Sequence, residues 1–129
     1  MKIVQEQPLF RDEVGKMFRL PEGAIFTYGD VIYNPSGRRI DEALLKHEET
    51  HSKQQGNHPD LWWQKYLTDT AFRAAEEVEA YRVQYQHAKK VIHDRNKLFR
   101  YLYMLATDLS GSMYGNVFTH SEAIQTIKI

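Results

Sequence analysis

The sequence predicts a mostly helical α+β domain, because one short β-rich segment precedes a long succession of amphipathic helical stretches. The β signal lies in residues 24–33, where two runs rich in aromatic and β-branched residues flank Gly29-Asp30, a turn typical of a β-hairpin. After residue 41, apolar residues recur every three or four positions, as they do on one face of a helix. A chain of 129 residues is long enough for one ordinary core, so we expect a single domain over residues 1–129.

The composition excludes several kinds of site and partner. The chain contains no cysteine, which rules out disulfides, a cysteine nucleophile and thiolate metal ligands, so a bound metal would need histidine and carboxylate. Its 17 basic and 17 acidic residues give a formal net charge of zero, which predicts no attraction to nucleic acid or to an anionic membrane. The N-terminus has no apolar signal core and no stretch is long enough to span a membrane, so we expect a soluble, cytoplasmic protein.

Helix boundaries are predicted from capping residues and turn signals. A helical pattern from about residue 9 to residue 19 is ended by Pro21 and Gly23. Three later helices are predicted to end near Gln54, Lys89 and Lys128. The helix that precedes the last of these is predicted to end at Gly111, which lies at a C′ position. The predicted N-terminal caps are Asp41, Asp60, Asp94 and the capping box Thr119-His120-Ser121-Glu122. A further helix is predicted to begin at Asp69 or Thr70 from its composition. The architecture expected is one hairpin and about five helices.

A metal-binding pattern lies in the helix that follows the hairpin. Residues 47–51 read His-Glu-Glu-Thr-His and fit H-E-x-x-H, which places two imidazoles one turn apart on the same helix face, a geometry that suits zinc. A carboxylate between them can take a proton from water activated by the metal. Glu48 lies at the border of the apolar face and Glu49 on the solvated side, so Glu48 is the better candidate for the base. The alternative is an amphipathic helix with two core histidines and no metal.

A third metal ligand is expected downstream, because a catalytic zinc usually takes three protein ligands and leaves one position open. The densest run of carboxylates contains Glu76, Glu77 and Glu79, within an alanine-rich helix. Helical geometry alone allows either Glu77 or Glu79 to face the core. The small neighbours Ala74 and Ala80 favour Glu77, because a glutamate that reaches a metal held by another helix needs the two backbones close. The alternative is a solvated face paired with neighbouring arginines.

These two motifs together resemble those of a known family. The pattern is His47-Glu48-x-x-His51-x-x-Gln54 followed by Glu77-x-x-Ala80-Tyr81. It is similar to that of the small gluzincin-type zinc metallopeptidases of bacteria and their phages, distant relatives of thermolysin, over residues from about 24 to 85. The resemblance implies a zincin-like fold with His47, His51 and Glu77 as ligands of Zn2+ and Glu48 as the general base.

The resemblance leaves two supporting roles open. Many gluzincins have an aspartate four residues after the ligand glutamate, where it supports a ligand histidine, but this chain has Tyr81. A phenol could still make the hydrogen bond that orients an imidazole, although it brings no charge. Tyr114, in a loop flanked by glycines, is the candidate for stabilising the oxyanion, and His120 is a weaker one. Tyr114 could equally pack or close the loop.

The function expected is a zinc-dependent hydrolase, a small metallopeptidase that acts on a peptide or protein substrate. The hairpin before the motif helix could hold an extended peptide at its edge, or it could simply cover the helix core. The rival function is a binding or assembly protein in which the metal site is structural or catalytically silent. The two adjacent tryptophans, Trp62 and Trp63, cannot share a helix face, so one of them is expected in the core and the other at a groove or partner surface. The alternative is that core packing explains both. The sequence does not indicate the oligomeric state.

Overall fold

The computed structural model describes residues 1–6 and 24–129, and the helix predicted from about residue 9 to residue 19 lies outside these ranges. The described residues form an α+β fold with a small sheet and five α-helices. The strands are β1 (Lys2–Val4), β2 (Phe26–Tyr28) and β3 (Val31–Tyr33). The α-helices are α1 (Glu42–Gln55), α2 (Pro59–Thr68), α3 (Thr70–Val91), α4 (Arg95–Leu109) and α5 (His120–Lys128), with a 3-10 turn at Ser112–Tyr114 between α4 and α5.

The sheet of the described residues has the strand order β1-β3-β2. Strands β2 and β3 pair antiparallel, with Phe26 opposite Tyr33, and Gly29 takes a positive φ of 62° in the turn between them. Strand β1 pairs parallel to β3, with Lys2 opposite Val31. Strand β1 is not predicted from the sequence, because three residues carry too little periodicity to indicate a strand that forms only through a distant partner.

Four of the five α-helices begin with a side-chain cap, and three of these caps, at Asp41, Asp94 and Thr119, were predicted. Asp41, Asp69 and Asp94 each accept a backbone N–H from the first turn of α1, α3 and α4, and the capping box of α5 is present at Thr119. The prediction that Asp60 caps α2 is wrong. Helix α2 begins at Pro59, a residue suited to a helix start because it has no backbone N–H that would lack a partner there. The Asp60 carboxylate instead accepts a hydrogen bond from the Tyr28 hydroxyl.

The core of the described residues contains two hydrophobic clusters of different composition. The helical cluster joins α3, α4, the 3-10 turn and α5, and its buried members are Tyr81, Tyr85, Leu102, Leu105, Ala106, Leu109, Tyr114, Ala123 and Ile127. The aromatic cluster joins β2 to α2, and its buried members are Phe26, Trp62, Trp63, Tyr66 and Leu67. Helix α3 contacts α1, α2, α4 and α5, so it connects the two clusters.

Both tryptophans are buried, which corrects the expectation that one of them faces a groove or partner. Trp62 is 6% exposed and Trp63 is 7% exposed. Their rings are nearly perpendicular, and the two side chains pack against different neighbours because adjacent positions on a helix point in different directions. Trp62 stacks on Tyr66, with ring centroids 4.8 Å apart, while Trp63 packs edge-on against Phe26 of the sheet.

Candidate metal centre

Helices α1 and α3 bring three potential metal ligands into one buried cluster, hereafter the triad: His47, His51 and Glu77. The two histidines lie one turn apart on the inward face of α1, and Glu77 approaches from α3. Ala74 and Ala80, both almost fully buried, flank Glu77 and allow the helices to lie close together. The Oε1 atom of Glu77 is 3.2 Å from His47 Nε2 and 3.0 Å from His51 Nε2, and the two Nε2 atoms are 3.1 Å apart.

The hydrogen bond on the far side of the His47 ring sets its tautomer. His47 Nδ1 lies 2.9 Å from Gln84 Oε1, and Gln84 Nε2 donates to the Tyr101 hydroxyl at 2.9 Å. The Gln84 amide oxygen faces the imidazole and can only accept, so in this arrangement Nδ1 carries the proton. The neutral His47 ring therefore presents the lone pair of Nε2 to the triad.

His51 is oriented in the same way from within its own helix. Its Nδ1 atom lies 2.8 Å from Gln54 Oε1. Gln54 Nε2 donates to the Glu76 carbonyl at 2.9 Å and to Glu79 Oε1 at 3.0 Å, which fixes the amide oxygen toward the ring. The neutral His51 ring thus also directs an Nε2 lone pair inward.

Three acceptor atoms converge in the triad with no donor hydrogen among them when both rings are neutral. Such a buried cluster requires a cation, which can be a metal ion or a proton. Burial disfavours the charged His51 ring, but attraction to Glu77 outweighs burial and raises the pKa of His51 to about 9. Burial alone would raise the pKa of Glu77, but the two histidines outweigh it and the pKa falls far below its ordinary value. The cluster therefore retains a cation even without metal.

The second oxygen of Glu77 is held by a phenol. Tyr66 donates its hydroxyl to Glu77 Oε2 at 2.5 Å. Burial and the Glu77 charge raise the pKa of Tyr66 well above 10, so the phenol stays protonated and remains a donor. The Tyr66 carbonyl also accepts Arg73 Nε at 2.9 Å, which ties the end of α2 to the start of α3. One Glu77 oxygen is thereby committed to Tyr66, and the other faces the histidines.

Glu48 is buried beside the triad with its two oxygens in different environments. Oε1 accepts the Thr27 hydroxyl at 2.7 Å, whereas Oε2 lies 3.9 Å from His47 Nε2. Thr27 belongs to β2, and its carbonyl accepts Gln55 Nε2 at 2.8 Å and Trp63 Nε1 at 3.0 Å. The strand therefore fixes one oxygen of the carboxylate and leaves the other directed at the triad.

The two tyrosines singled out in the sequence contact each other. The Tyr81 ring packs edge-on against His47, with centroids 4.6 Å apart, and its hydroxyl lies 3.2 Å from the Tyr114 hydroxyl. The expectation that the Tyr81 phenol orients an imidazole is wrong, because Gln84 occupies Nδ1 of His47. Gln84 was missed, although it follows Glu77 and Tyr81 at helical spacing on the same face of α3.

The remaining candidate residues lie outside the triad. Glu49 is on the outer face of α1, 4.0 Å from Lys46. Glu79 accepts from Gln54 rather than pairing with a neighbouring arginine, and Glu76 accepts Trp62 Nε1 at 2.9 Å. The His120 ring lies against Tyr103 on the far side of α4, with centroids 4.2 Å apart, and lines neither cavity described below.

Two cavities meet at the triad. The smaller, of about 80 Å³, reaches into the aromatic cluster, and the larger, of about 690 Å³, extends along α1 and α4 toward Arg38 and Asp108. Burial raises the pKa of Asp108, while attraction to His47 and Arg38 opposes the rise. The residues that line both cavities are Ala24, Ile25, His47, Glu48, Met113 and Tyr114. A ligand near the triad would therefore contact β2 on one side and the 3-10 turn on another.

Comparison of the chain with profiles of known protein families, with curated proteins and with solved structures finds no match. Within residues 1–6 and 24–129, no helix combines the length and the apolar character needed to cross a bilayer. The geometry of the triad and its surroundings is therefore the basis for the function proposed below.

Proposed function

We propose that this protein is a zinc-dependent peptidase with the ligand arrangement of the gluzincin-type enzymes. The observation that carries the proposal is the triangle of acceptor atoms formed by His47, His51 and Glu77, with sides of 3.0–3.2 Å. Tetrahedral zinc bonded to nitrogen and oxygen at about 2.0–2.1 Å places its ligand atoms about 3.3 Å apart. The triangle fits that separation within a few tenths of an ångström, and two imidazoles with one carboxylate suit zinc.

The residues around the triad supply the other parts of a hydrolytic site. When bound, zinc supplies a Lewis acid that polarises a carbonyl oxygen and acidifies water. Glu48 takes the proton of the attacking water through Oε2, because Oε1 is held by Thr27. Burial and the charge of Glu77 raise the pKa of Tyr114 well above 10, so its phenol remains a donor and can stabilise the oxyanion that forms.

A peptide is the substrate class that the surroundings support best. Strand β2 lies at one edge of the described sheet, and the residues immediately before it, Ala24 and Ile25, line both cavities at the triad. An extended peptide can pair with the backbone of such an edge and bring its carbonyl groups past the metal site. The cavities on either side then accept neighbouring side chains of the substrate.

The first experiment measures metal content and affinity. The purified protein is expected to contain about one zinc per chain, and His47→Ala, His51→Ala and Glu77→Ala should each lose it. Glu79→Ala is the matched control on the same helix. Glu79 lies outside the triad, and without it Gln54 still donates to the Glu76 carbonyl, so this variant should retain zinc. Elemental analysis that finds no transition metal in protein prepared without chelator, and no uptake of added zinc, would exclude the proposal.

The second experiment separates metal binding from chemistry. Glu48→Gln keeps the size of the side chain but removes the base, so zinc should remain while hydrolysis of a peptide library falls by at least about a hundredfold. Glu49→Gln, at the adjacent half-buried position on the outer face of α1, should leave hydrolysis unchanged. Equal turnover by Glu48→Gln and Glu49→Gln would show that Glu48 is not the general base.

A catalytically silent, metal-stabilised binding protein is the second candidate. The observation in its favour is that all three triad side chains are at least nine-tenths buried, so a bound metal would stabilise the fold whether or not it reacts. This candidate would be favoured if zinc strongly raised the melting temperature while the wild-type protein cleaved no member of the peptide library.

A further inference from the structure

The corner where α3 meets α4 concentrates positive charge. Residues 89–100, hereafter the basic corner, carry a net charge of +4 although the whole chain is neutral. The corner contains a single acid, Asp94. Its five cationic residues, all exposed, are Lys89, Lys90, Arg95, Lys97 and Arg100. This surface is therefore strongly basic although the chain has no net charge. The expectation of no attraction to nucleic acid or to an anionic membrane, which was drawn from the net charge alone, does not apply to it.

These cations take no part in the ion pairs of the described residues. The ion pairs found there involve Lys46 and three histidines, and none includes a residue of the basic corner. Asp94 is committed to capping α4, where its carboxylate accepts the Lys97 backbone N–H at 2.9 Å. Lys89 has a ring as its neighbour, with Nζ 5.9 Å from the centre of Tyr85. The charges of the corner are thus directed at solvent.

Helix stability does not explain all of these charges. Lys89 and Lys90 lie in the last turn of α3, where cations interact favourably with the helix dipole. Arg95 and Lys97 lie in the first turn of α4, which contains no acidic residue, and there the dipole opposes positive charge. Arg95 and Lys97 therefore lie at positions where their charges destabilise α4.

Large apolar side chains are exposed at the same corner and along the outer face of α4. Val91 is 58% exposed and Phe99 is 56% exposed, and Tyr103 and Met104 continue the exposed apolar surface toward the middle of the helix. A surface with cations around exposed apolar side chains has the composition of surfaces that bind at the lipid–water interface. Phe99 could stack on a nucleic-acid base, but Val91, which is equally exposed, has no ring for that purpose and can only be covered by an apolar environment.

We propose that the basic corner docks on bilayers that contain anionic phospholipids, with Phe99 and Val91 entering the interface. Each cation held near such a surface strengthens binding by about fivefold, so the five together strengthen it by on the order of a thousandfold. Glu77 precedes Lys89 by 12 positions on α3 and is therefore about 18 Å away along the helix axis. Docking leaves the triad clear of the bilayer, and the proposal does not depend on the function of the triad.

Vesicle co-sedimentation tests the charge requirement. At about 0.1 M salt, wild-type protein should bind vesicles containing roughly one third phosphatidylglycerol and should not bind pure phosphatidylcholine vesicles. Changing all five cations of the corner to glutamine should reduce the partition coefficient by on the order of a thousandfold. The matched control changes five exposed cations elsewhere and should retain nearly all binding: Arg38, Arg39, Lys46, Lys53 and Lys128. Wild-type binding should also be released at about 1 M salt, a test that needs no variant.

The absence of cysteine allows a direct test of insertion. Phe99→Cys creates a single attachment site for an environment-sensitive fluorophore, and Leu61→Cys on α2, at a position 62% exposed, is the control. Anionic vesicles should shift the emission of the label at position 99 to shorter wavelength and leave the label at position 61 unchanged. Equal binding to both kinds of vesicle, or full binding by the five-glutamine variant, would overturn the proposal. So would tight binding of a duplex oligonucleotide without vesicle binding, which would assign the corner to nucleic acid.

Discussion

The two hydrophobic clusters differ in what their side chains contribute besides burial. The helical cluster is built mainly of aliphatic residues such as Leu105 and Leu109, which are at most 1% exposed and carry no polar atom. Each of three rings in the aromatic cluster also donates a hydrogen bond toward the site. Trp62 donates to Glu76, Trp63 to the Thr27 carbonyl and Tyr66 to Glu77.

This difference between the two clusters shows how one small core can both stabilise the fold and orient the groups of the metal site. Aliphatic burial stabilises in proportion to the area removed from water and has no direction. A buried indole or phenol adds a hydrogen bond with a defined direction, which fixes the group that accepts it. Substitutions of the aliphatic residues in the helical cluster should therefore change only the free energy of unfolding, and substitutions of the donors in the aromatic cluster should change the metal site as well.

The largest effect on stability is expected in the helical cluster. Leu109→Ala leaves a cavity at a fully buried position and should lower the free energy of unfolding by about 3–4 kcal/mol. Urea denaturation of the metal-free protein measures this change. Zinc affinity of the folded variant should stay at the wild-type value. Leu61→Ala, at an exposed position of α2, should change stability by less than about 0.5 kcal/mol. A tenfold loss of zinc affinity in Leu109→Ala would contradict the proposed separation of roles.

The next effect concerns the donor to Glu77. Tyr66→Phe keeps the ring but leaves Glu77 Oε2 without the phenol, which should lower the free energy of unfolding by about 1–3 kcal/mol. Zinc affinity, measured by competition with a chelator, should fall by roughly 10–100-fold, because the ligand loses the group that orients it. Tyr85→Phe is the control, a buried tyrosine of the helical cluster, and it should leave affinity unchanged. Equal affinities in both variants would show that the phenol of Tyr66 only packs.

The sequence was most informative where structure is local. The predicted caps at Asp41, Asp94 and Thr119 are confirmed, because a side chain and the N–H three residues later lie within one turn. The spacing of His47 and His51 likewise placed both rings on one face. The choice of Glu77 over Glu79 as the third metal ligand rests only on the small size of the residues next to Glu77 and on the family resemblance.

The contacts that the sequence did not predict join distant segments. Thr27 and Glu48 are 21 positions apart, and Tyr66 and Glu77 belong to different helices. Gln84 was passed over in favour of Tyr81, because a glutamine on a helix has no sequence feature that distinguishes a ligand-orienting amide from a surface one. Strand β1 also depends on a distant partner. These interactions are set by how the helices and the sheet pack, which one sequence does not specify.

A smaller effect is expected at the strand that holds the candidate base. Thr27→Val keeps the shape of a fully buried side chain but removes the donor to Glu48 Oε1, which should lower the free energy of unfolding by about 1.5 kcal/mol. A double-mutant cycle with Glu48→Ala should recover most of that value as coupling between the two residues. Thr27→Ser restores the donor and should restore the coupling. Zinc affinity should change little in all three single variants, and a coupling energy near zero would mean that Thr27 does not position the carboxylate.

The smallest effect is expected at the capping box of α5, which delivers Ala123 and Ile127 to the helical cluster and is remote from the metal site. Thr119→Ala removes the side chain that accepts the Glu122 backbone N–H and should lower the free energy of unfolding by about 1 kcal/mol at neutral pH. Ser121→Ala, at an exposed position one residue into the helix, is the matched control and should change stability less. Zinc affinity should be the same in both.

The same box also predicts a pH dependence. Hydrogen bonds from the backbone and side chain of Thr119 lower the pKa of Glu122 below its ordinary value of 4.5. A carboxyl group whose pKa is lower in the folded state stabilises the fold above the unfolded value and loses this contribution as the pH falls through the folded value. Glu122→Gln should therefore be less stable than wild type at pH 7, and the difference should shrink as the pH falls from about 5 to about 3. Thermal melts of the two proteins across this range measure the difference. A constant gap would mean that the charge of Glu122 does not contribute, and that the cap acts through Thr119 alone.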